Sequence, residues 1–318
     1  MSTPVPPLDV GDIDALLRHT EHGLSAYLET TEEHSQVDGT MATSFCHVLQ
    51  RDATGTVRIN DLAKLLAASM VDYAIPRSKI AEARKKDAQY NTLIYTQKLA
   101  DQARSLFTDL KNTGEGGEFL LYLLTQEFLK VPQFLCKMPL KTSGHMHYHG
   151  VDGVHIGCEP NKDGHNVPAF YWGESKIHAD LGSGLKESLE TLSQFLSPGQ
   201  VTSTTKNRDL ELMHDNIDLQ DPALENVILQ YLDKDNPLFN QAIYKGVVLV
   251  GFEQDEYNSL KHDELVGHCK AEFKKWLEKA KTLLHENNLQ EVTMHIFFLP
   301  FPSVQGFRDT FLKELHIQ

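Results

Sequence analysis

Apolar positions from residue 59 recur at helical spacing. In "INDLAKLLAASMVDY", Leu62, Leu65, Leu66, Ser69 and Met70 share one face, which predicts a helix that Pro76 stops. A second helical stretch, from about Ser78 to Leu110, carries Ile80, Ala83, Leu99, Ala103 and Phe107. Residues 1–112 therefore read as mainly helical. The Gly-rich "KNTGEGGE" breaks the pattern and sets a domain boundary there, with a second domain over 113–318.

Beyond the break the period changes. "EFLLYLLTQEFLK" is an apolar helix ended by Pro132. "QFLCKMPLKT" reads as an edge or bulged strand because it contains a Pro. "MHYHGVDGVHIG" and "PAFYWGESKI" read as strands around a turn at Asp163-Gly164. "LGSGLKESLETLSQFL" is an amphipathic helix striped by Leu181, Leu185, Leu189, Leu192 and Leu196. After the acidic segment 209–235 come a strand "GVVLVGF", a helix carrying Leu265, Cys269, Phe273, Trp276 and Ala280, a strand "VTMHIFFL" and a terminal helix. This order predicts a mixed α/β domain with helices packed on a central sheet.

Composition narrows the classes. No apolar run approaches the ~18 residues of a membrane span. The N-terminus lacks the basic start and apolar core of a secretory signal. The four cysteines are scattered without a CxxC pair, which argues against a zinc cluster or disulfide framework and fits a reducing cytosol. The net charge of -14 counts against tight, independent nucleic-acid binding. Yet charge is segregated: residues 1–50 hold eight acids and one base, whereas "PRSKIAEARKK" holds five bases and one acid. That basic run reads as a solvated helix face or as a phosphate or partner contact.

The candidate chemistry lies in "FYWGESKIH". Glu174 and Lys176 are two apart on a predicted strand and so project from one face. They form either a strand-end ion pair or part of a hydrolytic site. Asp152, near the end of the preceding strand, can reach Glu174 if the hairpin register allows, since paired strands lie about 4.8 Å apart. Two carboxylates make a hard-oxygen site suited to Mg2+, with Mn2+ an alternative. In that reading Asp152 and Glu174 are metal ligands and Lys176 is the catalytic cation. A second Glu-x-Lys, Glu272 and Lys274, falls in a helical context where i and i+2 do not face each other, and reads as structural. His145, His147 and His149 would spread over roughly 13 Å of one strand, too far for a single zinc ion. His178, in phase with Lys176, reads equally as a substrate contact or a helix-entry residue.

The order helix, "HGVDGVH", turn, "YWGESK", helix resembles the PD-(D/E)xK nuclease superfamily. A closer resemblance is to the HamA family, the effector subunit of the Hachiman anti-phage defence system. It is carried by "VDYAIPRSKI" (71–80), "GEFLLYLLTQEFL" (117–129), "KMPLKT" (137–142), "HGVDGVH" (149–155) and "WGESKIHADL" (172–181). The resemblance implies a cytoplasmic, Mg-dependent deoxyribonuclease controlled by a partner helicase, HamB, with Asp152, Glu174 and Lys176 in the superfamily's functional roles. Val151 stands where the superfamily usually has Pro. The resemblance also implies a role for Glu118, on the first core helix, although a Glu in a first helical turn is favoured by the helix dipole in any case. A non-catalytic interaction subunit and an RNA-directed nuclease are the alternatives. The helical region 1–112 is expected to bind the helicase.

Overall fold

The computed structural model describes residues 8–18, 23–107, 114–139, 150–197 and 204–315. In chain order the elements are α1 (Val10–Asp14), β1 (Leu28–Gln36), β2 (Ala42–Leu49), α2 (Ile59–Ala68), α3 (Met70–Ala74), α4 (Arg77–Tyr90), α5 (Ile94–Ser105), α6 (Glu115–Phe128), β3 (Gly153–Pro160), β4 (Asn166–Ile177), α7 (Leu181–Leu196), α8 (Thr204–Asp215), α9 (Pro222–Leu232), β5 (Ile243–Glu253), α10 (His262–Glu286), β6 (Met294–Phe301) and α11 (Val304–Glu314). Together they give the expected mixed α/β architecture, a six-stranded sheet flanked by helices.

The sheet order is β1-β2-β6-β5-β4-β3. Its centre, β2-β6-β5-β4, is parallel, and an antiparallel hairpin closes each edge. Both faces of the centre are covered, so β5 and β6 are almost wholly buried runs, as buried parallel strands should be. Helices α7 and α10 cover one face: Phe195 lies 5.0 Å from Trp172, and Trp276 lies 6.0 Å from Phe298. Helix α6 covers the other, where Phe128 meets His47 and Phe297 at 4.3 and 6.3 Å. Each large side chain buried in this way contributes about 1.5–3 kcal/mol. Among the described residues no helix is long and apolar enough to cross a membrane.

Three expectations are corrected. Residues 28–49 are not helical: they form β1 and β2, and β2 pairs in parallel with β6, so the sheet crosses the position expected to divide the domains. Strand β1, "LETTEEHSQ", is an edge strand whose register shifts twice, and an exposed, bulged edge has no need of apolar alternation. The single helix expected over 78–110 is a hairpin of α4 and α5, broken at Asn91, which adopts a left-handed conformation (φ 51°). Lastly, the described part of "QFLCKMPLKT" forms one bridge, Gln133 with His155, and no strand. It runs along the outer edge of β3, where the Phe134 and Leu135 amides donate to Val154 O and the Ile156 amide donates to Pro132 O. The first residues of the expected strand "MHYHGVDGVHIG", with His145, His147 and His149, and the boundary near 112 lie outside the described residues.

Candidate active site

The hairpin β3–β4 brings Asp152 beside the strand that carries Glu174 and Lys176. The Asn161 side chain organises the turn, its Oδ1 accepting from the amides of Asp163 and His165. Gly164 takes the left-handed φ of 78° that the turn requires. The pairing then runs without a slip from Pro160↔Asn166 to Gly153↔Gly173. The pairing ends there, and Asp152 is the next residue beyond it, near enough for its charge to act on Glu174.

Strand alternation sorts the neighbouring groups. Trp172, Glu174 and Lys176 point to the α7 face. The small residue Gly184 on α7 permits close approach there, since a Cβ on it would come 3.6 Å from Lys176 Cβ. Ser175 points to the α6 face, where a Cβ on Gly117 would meet its Oγ at 3.1 Å. Asp152, at the open end of the hairpin, joins the two sides. Its Oδ2 accepts from both the amide and the hydroxyl of Ser175 at 2.8 Å.

Glu174 is 3% exposed. The ammonium of Lys176 donates to its Oε1, while Oε2 is buried without a hydrogen-bond partner among the described residues. Burial, reinforced by Asp152 and opposed by Lys176, pushes the Glu174 carboxyl up to about 8. This carboxylate is short of positive charge. For Lys176, burial acts to lower the pKa, but Glu174 and Asp152 more than offset it and the net shift is upward. The Lys176 side chain is 31% exposed, so its ammonium is held firmly yet accessible.

Glu118 enters from α6. Its Oε2 accepts from the Tyr73 hydroxyl at 3.2 Å, and of the charges acting on Glu174 it has the weakest effect. Tyr73 comes from α3, in the first third of the chain, and is buried against Phe119 with ring centroids 4.5 Å apart. Burial, then Glu118, Asp152 and Glu115, hold the Tyr73 phenol well above its ordinary range, so it keeps its proton and serves Glu118 as a donor. Sequence reasoning missed Tyr73 and Ser175. Ser175 sits inside the Glu-x-Lys triplet, and Tyr73 lies in the stretch 71–80 that carried part of the family resemblance, though nothing in its local pattern marks it apart from a core aromatic.

The remaining candidates separate. His178 Nδ1 accepts from the Asp180 amide at 3.3 Å, beside the start of α7, where Asp180 caps the helix by accepting from Ser183. The second Glu-x-Lys lies on α10, where Glu272 pairs with Lys275, not Lys274. Among the described residues no three His, Cys, Asp or Glu side chains are grouped so as to hold a metal ion. Asp152 and Glu174 are the two carboxylates that could face a cation here. That suits Mg2+, which commonly binds one or two carboxylates and completes its shell with water and substrate oxygens. The unpartnered Oε2 of Glu174 is the atom that such an ion would satisfy.

Fold and site together define a mixed α/β protein with a carboxylate–lysine cluster set at the end of a hairpin in its sheet. No curated protein and no solved structure matches the chain. The chain belongs to the HamA family, whose sequence model matches residues 25–315 of the 318. That family has its role in Hachiman anti-phage defence.

Proposed function

We propose that the chain is a Mg-dependent deoxyribonuclease with a PD-(D/E)xK-type core, the effector subunit of a Hachiman complex, controlled by the helicase HamB. The observation that carries this reading is Glu174, a buried carboxylate with one oxygen on Lys176, the other without a hydrogen-bond partner among the described residues, and Asp152 near enough to act on it. A structural ion pair gains little from leaving a buried oxygen unpaired. A cation-binding carboxylate has a reason to do so.

In this reading Asp152 and Glu174 would hold a Mg2+ ion, which when bound would supply positive charge to the phosphate and raise the acidity of nearby water. Ser175 fixes the Asp152 carboxylate through two bonds to one oxygen. Lys176, anchored on Glu174 and partly open to solvent, orients or deprotonates the attacking water or neutralises charge gathering on the phosphorus. Tyr73 holds Glu118 beside the pair. The chain's net charge of -14 keeps its own affinity for DNA low, so cleavage depends on a partner that delivers the strand. Residues 1–112 bind that partner.

The test incubates the complex with plasmid DNA and Mg2+, alongside Glu174→Ala and Lys176→Ala variants of unchanged thermal stability. Cleavage that a chelator and both substitutions abolish is the expected result. Equal cleavage by all three proteins overturns the assignment. Cleavage of RNA in preference to DNA would redirect it to the other polymer, and tight duplex binding by the isolated chain at physiological salt removes the delivery argument.

A further inference from the structure

Most large apolar side chains of the described residues are covered, with few exceptions. Of the five that stand exposed, Tyr90 (60%), Leu93 (79%) and Ile94 (58%) gather within five residues at the tip of the α4–α5 hairpin. A cluster of this kind marks an interaction site more often than isolated exposed residues do.

The tip is not a loose loop. The buried Asp87 carboxylate accepts from the amides of Tyr95 and Thr96 at 2.9 Å and also from the Thr96 hydroxyl. The Thr92 amide donates to Asp87 O at 3.0 Å. Asn91 makes the left-handed corner. These contacts fix Leu93 and Ile94 in an outward position, next to a shallow hollow of about 470 Å3 bordered by Arg84, Asn91 and Thr96. Pre-organisation of this kind lowers the ordering cost of binding.

The charge around the tip runs against that of the chain. Residues 77–105 carry seven Lys or Arg and three Asp or Glu, within a chain of net charge -14. Two of the bases, Arg84 and Lys85, are exposed on α4. Nucleic acid would explain the bases but not the tip. Phosphates reward cations, and bases reward open aromatic faces. Here the exposed side chains are one aromatic, Tyr90 (60%), whose ring centroid lies 6.0 Å from that of half-buried Tyr95, and two aliphatics, Leu93 and Ile94, which a stacking surface would not require.

We infer that the α4–α5 tip is a docking knob for a protein surface that presents an apolar groove rimmed by carboxylates. This inference rests on the proposed partnership with a helicase and locates its contact: Leu93 and Ile94 enter the groove, and Arg84 and Lys85 face the acidic rim.

The test measures binding of the full chain to purified HamB by biolayer interferometry, with circular dichroism confirming each fold. Leu93→Asp with Ile94→Asp raises Kd by about tenfold or more, as loss of a central apolar anchor does. Arg84→Glu with Lys85→Glu raises Kd severalfold and flattens its dependence on salt. Unchanged Kd for the Leu93/Ile94 variant overturns the docking site while leaving the partnership intact. No binding by the wild-type chain overturns both. Loss of duplex DNA binding with HamB binding unaltered also overturns the inference and reassigns the tip to nucleic acid.

Discussion

Two antiparallel hairpins close the edges of this sheet, and both carry carboxylates. In β1–β2 the edge strand holds Glu29, Glu32 and Glu33 at half-buried or exposed positions. In β3–β4 the outer strand carries Glu159, paired with Lys245, but the inner strand is buried at nine consecutive positions from Val167 to Ser175, and Glu174 is among them. On the first hairpin the carboxylates reach water or polar neighbours, Glu29 contacting His262 at 2.7 Å and Glu32 accepting from the Ser35 hydroxyl. On the second, burial raises the Glu174 pKa to about 8, and among the described residues Oε2 has no hydrogen-bond partner. The same residue type therefore carries different information in the two places. A carboxylate that the fold makes expensive needs a reason to be kept.

The largest expected effect tests that contrast directly. Glu174→Ala and Lys176→Ala each lower DNA cleavage by the complex on the order of 10^2-fold to 10^3-fold or more, as loss of a group acting on the reacting phosphate does. Glu32→Ala changes the rate less than about twofold, since a solvated edge position makes little differential interaction. A Glu174→Ala variant that cleaves normally removes the distinction between the hairpins.

Tyr73→Phe sharpens it from outside. The substitution deletes one hydrogen bond to the Glu118 carboxylate and leaves the ring packing on Phe119 in place. Bonds to charged groups are worth about 1.5–3 kcal/mol, so a fall of roughly tenfold in kcat is expected, with KM for DNA unchanged. An equal loss of thermal stability with no change in kcat assigns Tyr73 to the core alone.

How much of this was legible depends on what each segment had to bury. The β3–β4 hairpin could be read because its turn is spelled by Asp163-Gly164 and its apolar run is bounded on both sides. That hairpin brings Asp152 beside the Glu174–Lys176 strand, where its carboxylate accepts from Ser175. Strand β1 could not be read, because two register shifts and a positive φ at His34 erase its period. Its partner β2 sits between β1 and β6, so its apolar residues form a short run with no alternation to tell strand from helix. The α4–α5 corner was hidden for a related reason. Asn91 takes a conformation that Gly would have announced, and no Pro interrupts the sequence there. Tyr73 reaches the site only through the packing of α3 on α6, a tertiary relation that local pattern does not encode.

A third, smaller effect concerns pH and the β1–β2 side. His47 on β2 lies over Phe128, and burial pushes its pKa from 6.5 down to about 3. The folded protein therefore keeps the imidazole neutral at pH values where the unfolded chain binds a proton. The associated stability is fully present above about pH 6.5 and is lost as pH falls toward 3, at about 1.4 kcal/mol per pH unit for one such group. Denaturant unfolding between pH 7 and 4 measures it. His47→Phe flattens the wild-type decline by up to that slope, and an unchanged slope shows that His47 does not drive it.

The smallest effect is the one that the contrast most needs. Glu33 on β1 is exposed, and its contact is a 3.7 Å approach to His34, itself exposed. Surface pairs of this kind contribute little, so Glu33→Gln shifts unfolding free energy by no more than about 0.5 kcal/mol and leaves cleavage unaltered. Glu174→Gln keeps the volume and an oxygen that can accept from Lys176 while removing the ionisable group, and it abolishes cleavage without lowering stability. The paired measurement separates two explanations of Glu174. If the Gln variant is destabilised as well as inactive, the carboxylate supports the fold through Lys176. If it is inactive and at least as stable as wild type, the carboxylate is kept for chemistry at the expense of the fold.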